Sequence, residues 1–133
     1  MIMNKFQKRI NKTTKNHGSA LVIGNGLGHL EEILEVFRIV FVIADVAPNI
    51  KARNLTFREN FDDLNPITDI DAIFFDLDHI KYLENVSPIW HKYPAPILIE
   101  GNDVIEREFS KPLYKHNYRA VDQQGIYHVW KII

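Results

Sequence analysis

Apolar residues in this chain fall into short blocks that alternate between two periods. Ser19-Ala20-Leu21-Val22-Ile23 is an apolar run that stops at a glycine cluster, which predicts a buried strand. Leu30, Ile33, Leu34 and Phe37 then recur at i, i+3, i+4 and i+7, the spacing of a helix with one buried stripe. Glu31, Glu32 and Glu35 lie off that stripe and are expected to face water. The first two also fall in the first turn, where the helix dipole favours negative charge. Ile39-Val40-Phe41-Val42-Ile43-Ala44 is wholly apolar and too β-branched to prefer a helix, so it predicts a second strand after a tight join near Arg38.

The second half repeats the alternation. Leu55-Thr56-Phe57 predicts a short third strand after a brief turn or helix containing Lys51 to Arg53, and Asp71-Ala72-Ile73-Phe74-Phe75-Asp76 a fourth. Residues 79–91 suit a helix with Ile80, Leu83, Ile89 and Trp90 inward. Pro94 and Pro96 precede a fifth strand, Ile97-Leu98-Ile99-Glu100, and a short helix is expected around 104–109. Residues 118–122, a turn at Gln123-Gln124-Gly125 and residues 126–133 read as a closing hairpin. Nearly all-apolar strands alternating with helices imply a parallel sheet covered on both faces. The expected fold is therefore α/β: a three-layer, Rossmann-like, doubly wound, mostly parallel sheet ending in an antiparallel β-hairpin. Phe37, Phe41, Phe74 and Phe75 are expected in the core, and the exposed hairpin is a candidate homo-oligomer edge.

Composition narrows the chemistry. The 133 residues suffice for one domain with a real core. The chain has no cysteine, which excludes disulfides, thiolate nucleophiles and cysteine-ligated metals. Its apolar runs fall well short of the roughly 18 residues of a membrane span, and its first residues lack a signal-peptide core, so a cytoplasmic protein is expected. Charge is unevenly placed. Residues 1–30 carry +5 from Lys5, Lys8, Arg9, Lys12 and Lys15, and the remainder carries −6. Residues 1–18 are read as a basic arm or amphipathic helix ahead of a single domain at 19–133, either solvated or touching an anionic partner. No later stripe of basic and aromatic residues follows, which argues against nucleic acid.

The glycine cluster is the candidate site. In a doubly wound sheet, ligands bind beyond the carboxyl ends of the strands, where strand order reverses. Gly24-Asn25-Gly26-Leu27-Gly28 follows the first strand, and its glycines let backbone approach a ligand without Cβ interference. Asp45 closes the second strand 21 residues after Gly24. That spacing sets a carboxylate near the loop for two ribose hydroxyls or, alternatively, for a local Asx turn before Pro48. A dinucleotide loop would want a glycine where His29 stands. His29 itself is expected to be exposed.

The observed Gly-x-Gly-x-Gly resembles the first motif of the Rossmann-type S-adenosylmethionine-dependent methyltransferases, and Asp45-Val46-Ala47-Pro48 is similar to their second. Residues 71–101, with Asp76-Leu77-Asp78 and Pro96-Ile97-Leu98-Ile99-Glu100, resemble the FkbM-type members, and Asn117-Tyr118-Arg119 is similar to their later Gly-Tyr segment. The resemblance implies S-adenosylmethionine as cofactor, held by Gly24, Asn25, Gly26, Gly28 and Asp45, with Asn60 or Asp62 at the adenine position. Asp76, Asp78 and His79 are the candidate catalytic groups, His79 because its ordinary pKa lies near neutrality. Asp78 and His79 each have a plainer reading as a helix cap or exposed residue. Two departures stand out: Val22 replaces an acid two residues before the first glycine, and His79 replaces a glycine after the acid pair. The resemblance implies a small methyltransferase acting on a hydroxyl acceptor of unknown identity. The departures leave open an inactive relative that binds the cofactor as a sensor or serves as a scaffold. A nicotinamide enzyme on the same sheet is the third reading.

Overall fold

A computed structural model describes residues 3–26, 28–59, 70–76, 95–100, 111, 113–115, 117–124 and 127–132. The elements along the chain are α1 (Lys5–Thr13), β1 (Ser19–Ile23), α2 (Leu30–Val36), β2 (Ile39–Ile43), β3 (Leu55–Arg58), β4 (Ala72–Phe75), β5 (Ile97–Glu100), β6 (Tyr118–Gln124) and β7 (Tyr127–Ile132). The expected helices at 79–91 and 104–109 lie outside the described residues.

The strands form one seven-stranded sheet in the order β3-β2-β1-β4-β5-β7-β6. β1 to β5 run parallel, and β7 is antiparallel to both β5 and β6. This is the mostly parallel α/β sheet with a closing hairpin that the alternating pattern predicts. Strand order reverses at β1, which pairs with β2 on one side and β4 on the other. All of β4 and all but the first residue of β1 are buried, as strands covered on both faces must be. Phe37, Phe74 and Phe75 are core residues, while Phe41 is half-buried.

The basic N-terminal segment packs into this core. Its helix starts at a capping box not anticipated from the sequence. Asn4 Oδ1 accepts the Gln7 N–H at 2.9 Å, and Gln7 Oε1 accepts the Asn4 N–H at 3.0 Å. Phe6 and Ile10 are buried in one cluster with Val22, Ile33, Phe37 and Phe74. Gln7 is buried as well, and its Nε2 donates to the Glu32 carbonyl and to Glu35 Oε2, tying α1 to α2. Of the arm and the helix expected for this segment, the helix forms; its apolar side is buried in the core and Lys5, Lys8 and Lys12 on its basic side are exposed.

Local devices explain the tight connections. Asn54 Nδ2 donates to the Leu34 and Phe37 carbonyls at 2.8 and 3.0 Å, satisfying groups that the end of α2 leaves open near Arg38. The hairpin differs from expectation: Gln123 and Gln124 pair with His128 and Tyr127, so they extend β6 instead of turning. A register shift between Ala120 and Asp122 marks a bulge in β6. Asn117, where the resembled pattern has glycine, takes the left-handed φ of 67° that asparagine tolerates. Tyr118 behind it is fully buried and donates its hydroxyl to the Ala95 carbonyl at 2.6 Å.

Candidate functional site

The carboxyl ends of β1, β2 and β4 meet at the glycine loop. The Gly24 N–H donates to the Ile43 carbonyl at 2.8 Å, and the Asp76 N–H donates to the Ile23 carbonyl at 3.1 Å. Ladder hydrogen bonds thus carry β1 to its end before the chain turns. Asp45 follows two residues after Ile43 and is exposed at the same edge of the sheet. Asp76 follows β4 directly and is only 5% exposed.

Asp76 and the loop are built against each other. The Asp76 Oδ2 accepts the Asn25 N–H at 2.8 Å. Gly24 has φ +111°, and a Cβ there would lie 2.8 Å from Asp76 side-chain atoms, so conformation and contact both oppose a side chain. At Gly26, φ is +72° and an added Cβ would press on Ile33 and the Leu30 backbone, where α2 begins. Gly28 is different: its Cβ position opens on free space. The loop closes on itself through Asn25 Oδ1, which accepts the Gly28 N–H at 3.2 Å, and the Gly26 carbonyl, which accepts the His29 N–H at 2.9 Å.

A hollow of about 330 Å³ opens beside this loop, lined by Asn25, Gly28, Leu30, Glu31, Glu32 and Ile50. That volume is within the range of small-molecule sites. Glu31 and Glu32 give it a negative wall, which suits a ligand carrying positive charge. No sequence signal marks these two glutamates or Ile50 as site residues: the glutamates read as surface groups at a helix start, and Ile50 stands alone. Glu31 is exposed, but Glu32 is half-buried, with Oε1 lying 3.4 Å from His29 Nδ1. His29 is half-buried too, not exposed as expected, because Phe6 of α1 stacks on its ring at 4.0 Å and 12°. It stands at the N-cap of α2, with no side-chain cap hydrogen bond.

The structure therefore brings Gly24, Asn25, Gly26, Gly28, Asp45 and Asp76 to one edge. Asn60, Asp62, Asp78 and His79 lie outside the described residues. Val22 is fully buried in the apolar cluster, so an acid at that position would sit in the core. A carboxylate reaches the loop from Asp76, at the end of β4. Among the described residues there is no group of three or more histidine, aspartate or glutamate side chains placed to hold a metal. No helix among them is long and apolar enough to cross a membrane.

No protein-family model matches the chain, and no curated protein does. Solved structures do. The precorrin 8W decarboxylase of Methanobacterium thermoautotrophicum matches with a TM-score of 0.69 at 16% identity, over 97% of this chain and 90% of that one. A precorrin-6y C5,15-methyltransferase from Geobacter metallireducens gives 0.65 at 13% identity, over 93% and 86%. The MycE methyltransferase of the mycinamycin biosynthetic pathway, solved with Mg, SAH and mycinamycin VI, gives 0.64 at 13% identity, over 96% of this chain and 44% of that one. The chain thus has the Rossmann-like fold found in methyltransferases. A protein named as a decarboxylase shares it, so the fold alone does not set the reaction.

Proposed function

We propose that the chain is a small methyltransferase of FkbM-like type that binds S-adenosylmethionine over the glycine loop and methylates a hydroxyl oxygen. One observation carries this reading. An open glycine, Gly28, with a negative hollow beside it, follows β1, and an exposed carboxylate, Asp45, follows the neighbouring β2, beyond the carboxyl ends of the strands where strand order reverses. These residues fit the cofactor: Gly28 leaves open space for close approach beside the tight turn that Gly24, Asn25 and Gly26 build, and Asp45 offers an exposed carboxylate to a ribose. Asn60 and Asp62 are assigned to the adenine end. Bound there, the cofactor would supply an electrophilic methyl group.

The protein's part is chiefly orientation, since an in-line displacement needs the acceptor oxygen aligned with that methyl. Asp76 holds the loop by accepting the Asn25 N–H. Asp78 or His79, shortly after β4, is assigned to take the acceptor's proton. We further assign the protein to the cytoplasm, as a homo-oligomer paired through the C-terminal hairpin, whose β6 forms one edge of the sheet.

A second reading, cofactor binding without methyl transfer, is favoured by Val22, an apolar residue buried where the first motif carries an acid. Labelled S-adenosylmethionine incubated with the protein and varied hydroxyl acceptors separates the two. Label passing to an acceptor supports the enzyme; binding with no labelled product across acceptors supports the sensor. Binding of NADH in place of S-adenosylmethionine would overturn both.

A further inference from the structure

α1 carries a basic track that the candidate site does not use. Phe6, Gln7, Ile10 and Thr13 are its buried side. Lys5, Lys8 and Lys12 are exposed, and at 3.6 residues per turn they fall within about 60° of arc, forming one stripe. Arg9 flanks that stripe, half-buried. No acid occurs anywhere in residues 1–30, and none of the three lysines pairs with a carboxylate among the described residues. Near the start of the helix, Phe6 stacks on His29, which follows the glycine loop. Beyond its other end Lys15, together with Lys131, lines a second hollow of about 320 Å³ beside Ile70 and Asp71, where β4 begins. The track therefore runs along the domain from the candidate site toward the amino ends of the strands.

We propose that this track binds the phosphodiester backbone of a nucleic acid. Three kinds of anionic partner compete, and the geometry separates them. A membrane-surface helix needs outward apolar side chains to insert, but Phe6 and Ile10 are 5% and 0% exposed and committed to the core. A protein partner, including a second copy of this chain, would bury an apolar patch depleted in lysine, and this stripe is lysine with no exposed apolar residue between. A phosphate backbone asks only for spaced cations. Lys5 to Lys12 spans about 10 Å of helix axis, or about three phosphate steps along one strand of a duplex. The sequence offers no second stripe of basic and aromatic residues to support nucleic acid. The structure adds what the sequence lacks, a rigid support that holds the lysines in one line. Nucleic-acid binding here is independent of the methyl-donor reading.

The test is fluorescence anisotropy of labelled DNA and RNA duplexes of one sequence, titrated with the full chain over a range of salt. Sedimentation with phosphatidylserine vesicles and the protein's own oligomeric state are measured alongside. Binding of either duplex is expected, with log K falling against log salt at a slope of about −3, as for about three neutralised phosphates. A Lys5→Glu, Lys8→Glu, Lys12→Glu triple variant should bind at least about tenfold more weakly and flatten that slope toward zero. Its melting temperature and its S-adenosylmethionine titration should be those of the parent, which separates this inference from the cofactor reading. Should the triple reversal not fold, Lys8→Gln with Lys12→Gln should weaken binding and reduce the steepness of the slope by about two. No anisotropy change at low salt, or binding indifferent to these variants, overturns the proposal. So does lysine-dependent binding confined to the vesicles, or lysine-dependent self-association without nucleic-acid binding.

Discussion

Asp71 and Asp76 bracket β4 and grip the two ends of β1. Asp71 Oδ2 accepts the Gly18 and Ser19 N–H groups at 2.9 and 3.0 Å, and Asp76 Oδ2 accepts the Asn25 N–H at 2.8 Å. The second contact sets the start of the glycine loop. Asp76→Ala leaves a partly buried donor without its acceptor, so it should destabilise the protein by about 1–3 kcal/mol in urea unfolding. It should also weaken S-adenosylmethionine binding. Asp76→Asn keeps an oxygen for the Asn25 N–H and should retain most of the stability. If the asparagine variant holds stability yet loses methyl transfer, Asp76 contacts the reactants as well as the loop.

Gly24 tests the same packing from the opposite side. With φ +111° and a Cβ position 2.8 Å from Asp76, Gly24→Ala must move either the loop or the carboxylate. A cost of about 1–3 kcal/mol is expected from the strained backbone alone. Gly28→Ala meets no neighbour, so its cost should be set by its own φ of +79°. Urea midpoints of the two variants should therefore fall in the order Gly24→Ala below Gly28→Ala.

α1 is a structural element, so its apolar residues should behave as core. Phe6→Ala should cost about 3–5 kcal/mol, the range for a buried phenylalanine. It also removes the ring stacked on His29, beside the loop. A solvated tail would give a change near zero in the same unfolding experiment.

Tyr118 links stability to alkaline pH. Burial pushes its hydroxyl above the ordinary value of 10.0, favouring the neutral form in the folded state. Its contribution is thus fully present below pH 10 and is lost as pH rises above that value. Tyr118→Phe should cost about 1–2 kcal/mol at neutral pH through the unpaired Ala95 carbonyl. The gap between the two proteins should narrow as pH climbs past the ordinary tyrosine value, read from urea midpoints across that range.

Much of this fold was legible because strand and helix periods differ so clearly. The runs at 19–23, 39–43 and 97–100 became strands, and Leu30 with Ile33 turned inward as their spacing required. The pairing of Asp76 with Asn25 was not legible, since nothing local joins residues 51 positions apart. Nor was the burial of α1: Phe6 and Ile10 gave a short stripe, but the deciding contacts of Gln7 come from Glu32 and Glu35. Gln123 and Gln124 differ for another reason. Polar residues before a glycine read as a turn, yet an edge strand accepts them equally well.

Asp45 gives the most direct test of ligand binding. It is exposed beyond the end of β2, so Asp45→Ala should change stability by no more than about 1 kcal/mol. Titration calorimetry with S-adenosylmethionine should show micromolar binding to the parent, weakened about tenfold or more in Asp45→Ala by loss of a charged acceptor for the ribose. Equal affinity in the two proteins, or no heat with either, would contradict a ribose held at the end of β2.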